Sequence, residues 1–417
     1  MKQIIIEGNK LLSGTIRISG AKNSVVALIP TAILSDEEVT IYNVPDISDT
    51  NALIEIIKLL NCDCKYNEET MVINSNQMKN VIIPEDKSSK LRASYYFMGA
   101  LLGKYKYVEM FFPGGCNIGA RPIDLHLKGF EKLGAKVQVD GDKFIISADK
   151  LVGAKIYLDF ASVGATINIM LAAAKAIGQT IISNAAKEPE IVNVATLLNN
   201  MGAKISGAGT SEIKITGVEK LGSAVIEAIP DRIETGTYII AGALVGKDLK
   251  IDNIITEHIE ALISKLKEMG VDIKVGDNSV TISAAEYLSP INIKTLVYPG
   301  FPTDLGQPIS VLLSQANGMS IFEETVFENR MGHIKYLQKM GANIAVSGQT
   351  AIITGPKKLQ GKEVVAADLR AGAAMVLAGL KAEGTTIISE VEHILRGYEN
   401  IVEKLSDVGA TIKIIES

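Results

Sequence analysis

A helix-like stretch ending in a short glycine turn and running into a strand-like segment recurs six times in the chain, as KLLNCDCKY, EKLGAKVQV, NNMGAKISG, KEMGVDIKV, QKMGANIAV and SDVGATIKI. The turn falls at Asn61, Gly134, Gly202, Gly270, Gly341 and Gly409, at intervals of 73, 68, 68, 71 and 68 residues. Self-similarity at a nearly fixed period marks a repeated supersecondary unit, and it restricts the fold before any single residue does. Upstream of each turn lies a second signature, a polar or charged group heading a small apolar stretch: SGAKNSVVALIPTAIL, KLRASYYFMGALLG, SVGATINIMLAAA, PDRIETGTYIIAGALVG, PTDLGQPISVLL and ADLRAGAAMVLAGL. The apolar residues are too continuous for a helix with one wet face, so these helices are expected to be buried. Strand-like runs such as VTIYNV, TIISNA, LKIDNI and TTIISE follow, then a more amphipathic helix and the glycine turn.

The fold class expected is therefore α/β, built of mixed α+β repeats. Two similar domains each hold three βα units, with buried helices surrounded by outward-facing sheets, an inside-out α/β barrel. The first domain is expected over 20–229 and the second over 1–19 together with 230–417. In the second, the first strand-like stretch, QIIIEGNKLLSGTIRIS, closes the domain by pairing with the last unit. At 417 residues the chain exceeds the size at which one core keeps growing, which agrees with two domains.

A composition of 47% hydrophobic and 21% charged residues is that of a packed globular protein. A net charge of −5 argues against a general nucleic-acid binder but leaves room for a local basic pocket. The three cysteines, Cys62, Cys64 and Cys116, are too few and odd in number for a disulfide framework and fit a reducing compartment. Cys62-Asp63-Cys64 lacks a second pair, and His126, His258, His333 and His393 are scattered, so neither metal nor cofactor is expected. The opening MKQIIIEGNK has no apolar signal region, and no run approaches the roughly 20 apolar residues that span a bilayer. A cytoplasmic location without membrane partners is expected, with a monomer as the default.

One connection differs from its counterparts. PGGCNIGARP, residues 113–122, packs three glycines, two prolines, Cys116 and Arg121 into ten residues. Glycine reaches backbone angles closed to other residues and proline fixes its own, so this is a shaped loop. Such a loop can be purely structural and its cysteine a small buried hydrophobe. It is, however, longer than the NVPDISDT and NAAKEPE connections, and elaborated loops on repeated scaffolds tend to carry function.

The starts of the buried helices carry a further pattern. The first-turn N–H groups of a helix lack internal partners and accept anions. Lys22 and Asn23 head the first buried helix, Arg92 the second, Ser162-Val163-Gly164 the third, Asp231 the fourth, Asp304 the fifth, and Asp368 with Arg370 the sixth. If the units are equivalent, these residues converge on a cleft between the domains. Taken singly, Ser162, Asp231, Asp304 and Asp368 read as ordinary caps, and Arg92, Arg330, Arg370 and Arg396 as solvated charges. Taken together, Lys22, Arg121 and Arg396 with a loop cysteine and a helix-start aspartate suit a small polyanion bearing carboxylate and phosphate groups.

The motifs ISGAKNS, LRASYY, PGGCNIGARPIDLH, SVGATINIM, NAAKEPEIV, PDRIETGTY, YPGFPTDL, VFENR, DLRAGAA and HILRGYENI occur in this order. With them the whole chain resembles the UDP-N-acetylglucosamine 1-carboxyvinyltransferases, enolpyruvyl transferases of peptidoglycan synthesis. The resemblance implies transfer of the enolpyruvyl group of phosphoenolpyruvate to the 3′-hydroxyl of UDP-N-acetylglucosamine, with release of phosphate by addition and elimination. By the same resemblance, Lys22, Arg121 and Arg396 hold phosphoenolpyruvate, with Arg330 and Arg370 near its carboxylate. Cys116 acts in proton transfer and is open to a fosfomycin-type epoxide, and Asp304 approaches the sugar hydroxyl as base. Asn23, Arg92, Pro122, Ile123, Asp124, Leu125, Ser162, Val163, Gly164 and Val326 match positions that contact the UDP-sugar, with Asp231 and Asp368 near the cleft. The sugar binds first, and the glycine-rich loop then closes.

Two departures stand out: Gly306 in TDLGQP where glutamine is common, and the absence of a lysine in NVPDISDT. The alternatives are 5-enolpyruvylshikimate-3-phosphate synthase, a non-catalytic UDP-sugar-binding regulatory paralogue, and a repeat scaffold for interactions.

Overall fold

The computed structural model describes residues 2–114 and 123–416. These divide into two compact units, one of residues 20–114 and 123–229, the other of residues 2–19 and 230–416. Each unit has its own apolar core.

In the unit of residues 20–229 the core is built on the helices Lys22–Ala32, Tyr96–Tyr105 and Val163–Ala173. In the other it is built on Arg232–Val245, Gly306–Leu313 and Leu369–Lys381. These six are the apolar stretches of the sequence, and they are buried on nearly all sides. Val163–Ala173, for example, is buried from Gly164 to its end. Each fully buried Leu or Ile contributes about 1.5–3 kcal/mol, which outweighs the modest helix propensity of the Thr, Ile and Gly residues these helices contain.

The outer helices alternate buried and exposed positions, as in Ser48–Leu59, where Leu53, Ile54, Ile56 and Ile57 face the core. After each outer helix the chain turns sharply, and the turn residues Asn61, Gly134, Gly202, Gly270, Gly341 and Gly409 all have positive φ, from 62° to 105°. That conformation is open to glycine and tolerated by asparagine, which is why the repeat shows those two residues there.

The sheets repeat as well. Strand Glu38–Tyr42 has Ala224–Glu227 parallel on one side and Thr70–Asn74 antiparallel on the other, with Asp63–Asn67 outermost. The same four-strand order centres on Gln179–Ser183, Gly246–Asp252, Met319–Glu323 and Thr385–Ser389. The sheet of Tyr107–Phe111 has three strands, with an isolated parallel bridge between Ile83 and Met110 where the others place a fourth. Alternating burial, as in Thr350–Thr354, puts one face of each sheet on the helices and the other outward.

The N-terminal stretch divides its pairing between two sheets. Lys2–Glu7 enters the last unit's sheet between Thr385–Ser389 and Thr411–Glu416, as expected. Leu12–Arg17 instead pairs in parallel with Gly246–Asp252 of the fourth unit. A turn at Gly8-Asn9, with Asn9 at a φ of 58°, separates the two strands. Each supplies the strand its sheet would otherwise lack, Lys2–Glu7 between two partners and Leu12–Arg17 at an edge. Among the described residues, no helix is long and apolar enough to cross a membrane. Cys62 is buried, and burial pushes its thiol up to about 12, while Cys64 sits half-buried in the strand Asp63–Asn67 with its thiol also raised by burial. Both are structural thiols rather than nucleophiles.

Candidate functional site

In the unit of residues 230–416, the FPTDL segment forms a single tight turn, Thr303–Leu305, that leads into the buried helix Gly306–Leu313. This turn presents Asp304 to two arginines from different repeats. Arg330 Nη2 lies 2.7 Å from Asp304 Oδ1, and Arg370, in the first turn of Leu369–Lys381, places Nη2 at 2.9 Å and Nε at 3.2 Å from Oδ2. The arginine side chains are 5% and 2% exposed, whereas a quarter of the Asp304 side chain reaches the surface. Burial alone would push this carboxyl up, but the charges of Arg370 and Arg330 outweigh it and hold Asp304 well below the usual carboxylate range.

Both guanidiniums are oriented by neutral neighbours. Arg370 lies over the Tyr398 ring at 5.4 Å, and the Tyr398 hydroxyl is 2.9 Å from Thr237 Oγ1. Arg330 stacks on Phe327 at 5.2 Å and donates from Nη1 to the Thr303 hydroxyl at 2.7 Å. A planar guanidinium can be held in this way by ring faces and directed hydrogen bonds, which a lysine ammonium cannot reproduce. Two guanidiniums share one carboxylate here, an arrangement suited to receiving a further anion such as a substrate carboxylate.

Asp368, Asp231 and Ser162 are caps in this structure. Asp368 Oδ1 accepts from the N–H groups of Arg370 and Ala371 at 2.8 and 2.9 Å, while Oδ2 accepts from Gln307 Nε2 at 3.1 Å. Asp231 accepts from Ile233 and Glu234 at 2.8 and 3.0 Å, and its charge also supports that of Arg370. Ser162 accepts from Ala165 N–H at 3.3 Å. Asp304 does not cap its helix; its two oxygens are taken by the arginines. Arg396 ends the short helix Glu392–Leu395 in the same unit, and the Val326 N–H is held by the Glu324 carboxylate at 2.8 Å.

In the unit of residues 20–229, Lys22 begins its helix and pairs with the buried Asp49 at 2.9 Å. A second cluster links two repeats. Arg92 lies 6.0 Å from the Tyr95 ring, Tyr95 meets His126 edge-on at 5.0 Å, and His126 Nδ1 is 2.8 Å from Asn168 Nδ2. Burial, reinforced by the charge of Arg92, pushes His126 down to about 3, so its ring is neutral. Gly164 sits against this cluster: a Cβ there would lie 2.8 Å from the Tyr95 hydroxyl and 2.9 Å from the His126 ring. A side chain at 164 would therefore displace the ring stack at the start of Val163–Ala173, whose first N–H groups are suited to an anion. Asn23 lies in the first turn of Lys22–Ala32, and Asp124 is exposed in that of Asp124–Lys132; Ile123 and Leu125 pack on the core.

Cys116, Arg121 and Pro122 lie outside the described residues. Of the residues singled out in the sequence, the fold gathers Asp304, Arg330, Arg370 and Asp368 in one unit, and Arg92 with Gly164 in the other. Sequence reasoning missed Thr303, Gln307, Glu324 and Tyr398, which orient the charged groups. All four lie inside or beside the motifs FPTDL, VFENR and HILRGYENI, but nothing in their spacing marks them.

A family model described as EPSP synthase (3-phosphoshikimate 1-carboxyvinyltransferase) matches residues 6–405. Among curated proteins, UDP-N-acetylglucosamine 1-carboxyvinyltransferase 2 of Geobacillus kaustophilus is 54% identical over 412 residues, covering 99% of this chain and 96% of that protein. The protein of the same name from Listeria monocytogenes is 52% identical over 98% of this chain and 97% of its own. Among solved structures, the enolpyruvyl transferase NikO from Streptomyces tendae superposes with a TM-score of 0.91 at 26% identity, covering 100% of this chain and 99% of that one. EPSP synthase from Acinetobacter baumannii, at 18% identity and a TM-score of 0.78 over the full length of both chains, shares the fold. With repeats, sheets and nearly every residue of the chain accounted for by these relatives, the chain belongs to the UDP-N-acetylglucosamine 1-carboxyvinyltransferases within the EPSP synthase family of enolpyruvyl transferases.

Proposed function

We propose that this protein transfers the enolpyruvyl group of phosphoenolpyruvate to the 3′-hydroxyl of UDP-N-acetylglucosamine, releasing phosphate, as the first committed step of peptidoglycan synthesis. The observation that carries the acceptor is 54% identity, across 99% of the chain, to a protein named for that reaction. The clamp of Arg330 and Arg370 on Asp304 supports the chemistry.

In the addition step, the sugar oxygen bonds to C2 of phosphoenolpyruvate, its proton passes to a base, and a proton is delivered to the methylene carbon. In the elimination step, the C2–O bond to phosphate breaks, phosphate leaves, and a proton lost from the new methyl group restores the alkene. Asp304 serves as the base toward the sugar hydroxyl and Cys116 acts in proton transfer at the methylene. A carboxylate gripped by two guanidiniums is a poor base. It becomes an effective one when the carboxylate of phosphoenolpyruvate draws Arg330 and Arg370 onto itself. On this reading the substrate that supplies the carbon also switches on the base.

Lys22, Arg121 and Arg396 neutralise phosphoenolpyruvate, while Asn23, Arg92, Pro122, Ile123, Asp124, Leu125, Ser162, Val163, Gly164 and Val326 receive the UDP-sugar, with Asp231 and Asp368 as supports. The reading assigns the protein to the cytoplasm, as a monomer.

The test is phosphate release from phosphoenolpyruvate by purified protein with UDP-N-acetylglucosamine, with shikimate 3-phosphate, and with neither. Release with the UDP-sugar alone, abolished in Cys116→Ala, is expected. Release with shikimate 3-phosphate would overturn the acceptor. Binding of the UDP-sugar without release would make the protein a non-catalytic binder.

A further inference from the structure

We propose that Glu324 is a positioning residue that sets both the orientation of Arg330 on Asp304 and the path of the backbone at Val326, an inference that rests on the function proposed above. Glu324 follows the strand Met319–Glu323 and is 1% exposed. A buried carboxylate is retained at a structural cost unless its oxygens are filled, and these are. Oε1 accepts from the Thr295 hydroxyl at 2.8 Å and from the backbone N–H groups of Val326 and Phe327 at 2.8 and 3.2 Å. Oε2 accepts from the Thr303 hydroxyl at 2.7 Å.

The polarity of this chain of contacts follows from chemistry. A guanidinium only donates hydrogen bonds, so the Thr303 hydroxyl accepts from Arg330 and its own O–H points at Glu324. The lone pairs of Thr303 are then turned toward Arg330, whose Nη1 donates to them at 2.7 Å. Held at Nη1, the planar guanidinium directs Nη2 at Asp304 Oδ1, 2.7 Å away. Thr303 is the residue just before Asp304, so the carboxylate also anchors the turn that carries the base. The other oxygen acts on a different part of the site. By holding two successive N–H groups it fixes the segment 325–327, which includes Val326, matched to the UDP-sugar, and Phe327, on whose ring Arg330 rests. The charged groups facing Asp304 are Arg330 and Arg370, with Asp231 adding its charge at Arg370.

Two substitutions separate the two arms. Glu324→Gln keeps the size and removes the charge: its one remaining oxygen serves one arm, its N–H₂ confronts donors on the other, and the lost charge weakens the hold on Thr303 and on the Val326 segment alike. Thr303→Val keeps the shape and removes only the hydroxyl between Glu324 and Arg330. Both variants are expected to lose kcat by about tenfold or more, because small misplacement of reacting groups is magnified in rate. In both, the acid limb of the kcat/KM profile moves to higher pH as Asp304 loses part of its hold on a proton-free state. Glu324→Gln in addition weakens binding of UDP-N-acetylglucosamine, read by titration calorimetry without turnover, while Thr303→Val leaves it near the parent value.

Carbon NMR of the ligand-free protein labelled at aspartate carboxyls reports the same change independently of activity. Asp304 stays ionised on acidification of the parent and takes up its proton at higher pH in both variants. Should the parent release no phosphate, the proposed function fails, and the carboxyl titration still decides the role of Glu324. A Glu324→Gln protein that melts like the parent with an unmoved acid limb and an unmoved Asp304 titration would overturn the inference. If Glu324→Gln does not fold, Thr303→Val alone decides: an unchanged acid limb and an unchanged Asp304 signal would overturn it.

Discussion

Asp304 has both oxygens on guanidiniums, so its removal affects stability and turnover together. Asp304→Asn is expected to lower phosphate release by about a hundredfold or more, the usual weight of a general base. It should also cost about 2 kcal/mol in a denaturant melt, short of the full penalty for breaking a buried pair, since a quarter of this side chain is exposed. A substitution that spared turnover would remove Asp304 from the role of base. The neighbouring Gly306, where the family resemblance leads to an expectation of glutamine, has little room for a side chain: a Cβ at 306 would lie 2.6 Å from the Phe322 ring, which is 1% exposed. Gly306→Gln is therefore expected to lower the melting temperature, and Gly306→Gln with Phe322→Leu to recover part of the loss. The sequence displayed Asp304, Arg330 and Arg370 as separate charges at motif positions, each with an ordinary alternative. Their mutual contact depends on residues 26 to 66 positions apart meeting in space, which no local pattern encodes.

At the scale of elements, the six turns were legible because their cause is local: a helix ends, the chain needs a positive φ, and glycine or asparagine supplies it. Gly202 tests that cause cleanly, with a φ of 103° and nothing within 4 Å of a Cβ built on it. Gly202→Ala is expected to destabilise the protein by about 1 kcal/mol from backbone strain alone, measurable by urea unfolding. A neutral result would mean that the turn is not confined to that conformation. The apolar helices were legible for a similar reason, since continuous apolar composition admits few exposed arrangements. The strand partners were not. Leu12–Arg17 reads like a continuation of Lys2–Glu7, and only the geometry of the Gly8-Asn9 turn and the opening beside Gly246–Asp252 assign it to a different sheet.

Across the whole molecule, stability responds to pH through buried groups to which the proposed reaction assigns no proton transfer. Burial pushes His126 down to about 3 and His333 down to about 4, against an ordinary value of 6.5. The unfolded chain binds those protons more readily, so their contribution is present above pH 6.5 and is lost as pH falls toward 4 and 3. Glu234 works in the opposite sense. Burial raises it to about 7 despite the Lys404 ammonium at 2.7 Å, so its contribution is present below pH 4.5 and lost as pH rises through 7. With two histidines against one glutamate, the urea midpoint is expected to fall between pH 6.5 and 4. His126→Gln or His333→Gln should flatten that fall, whatever each does to stability at pH 8; an unaltered slope in both would assign the acid sensitivity elsewhere.

The placement of Lys2–Glu7 between Thr385–Ser389 and Thr411–Glu416 bears on how the protein comes off the ribosome. This segment belongs in the middle of a sheet whose other strands, from Glu363–Val365 onward, are translated far later. Strands of residues 20–229, in contrast, find their partners within that stretch, so this unit can finish folding while synthesis continues. The strand Lys2–Glu7 must be kept from other partners until those later strands emerge, which makes that interval the period when this sheet is most exposed to misassembly.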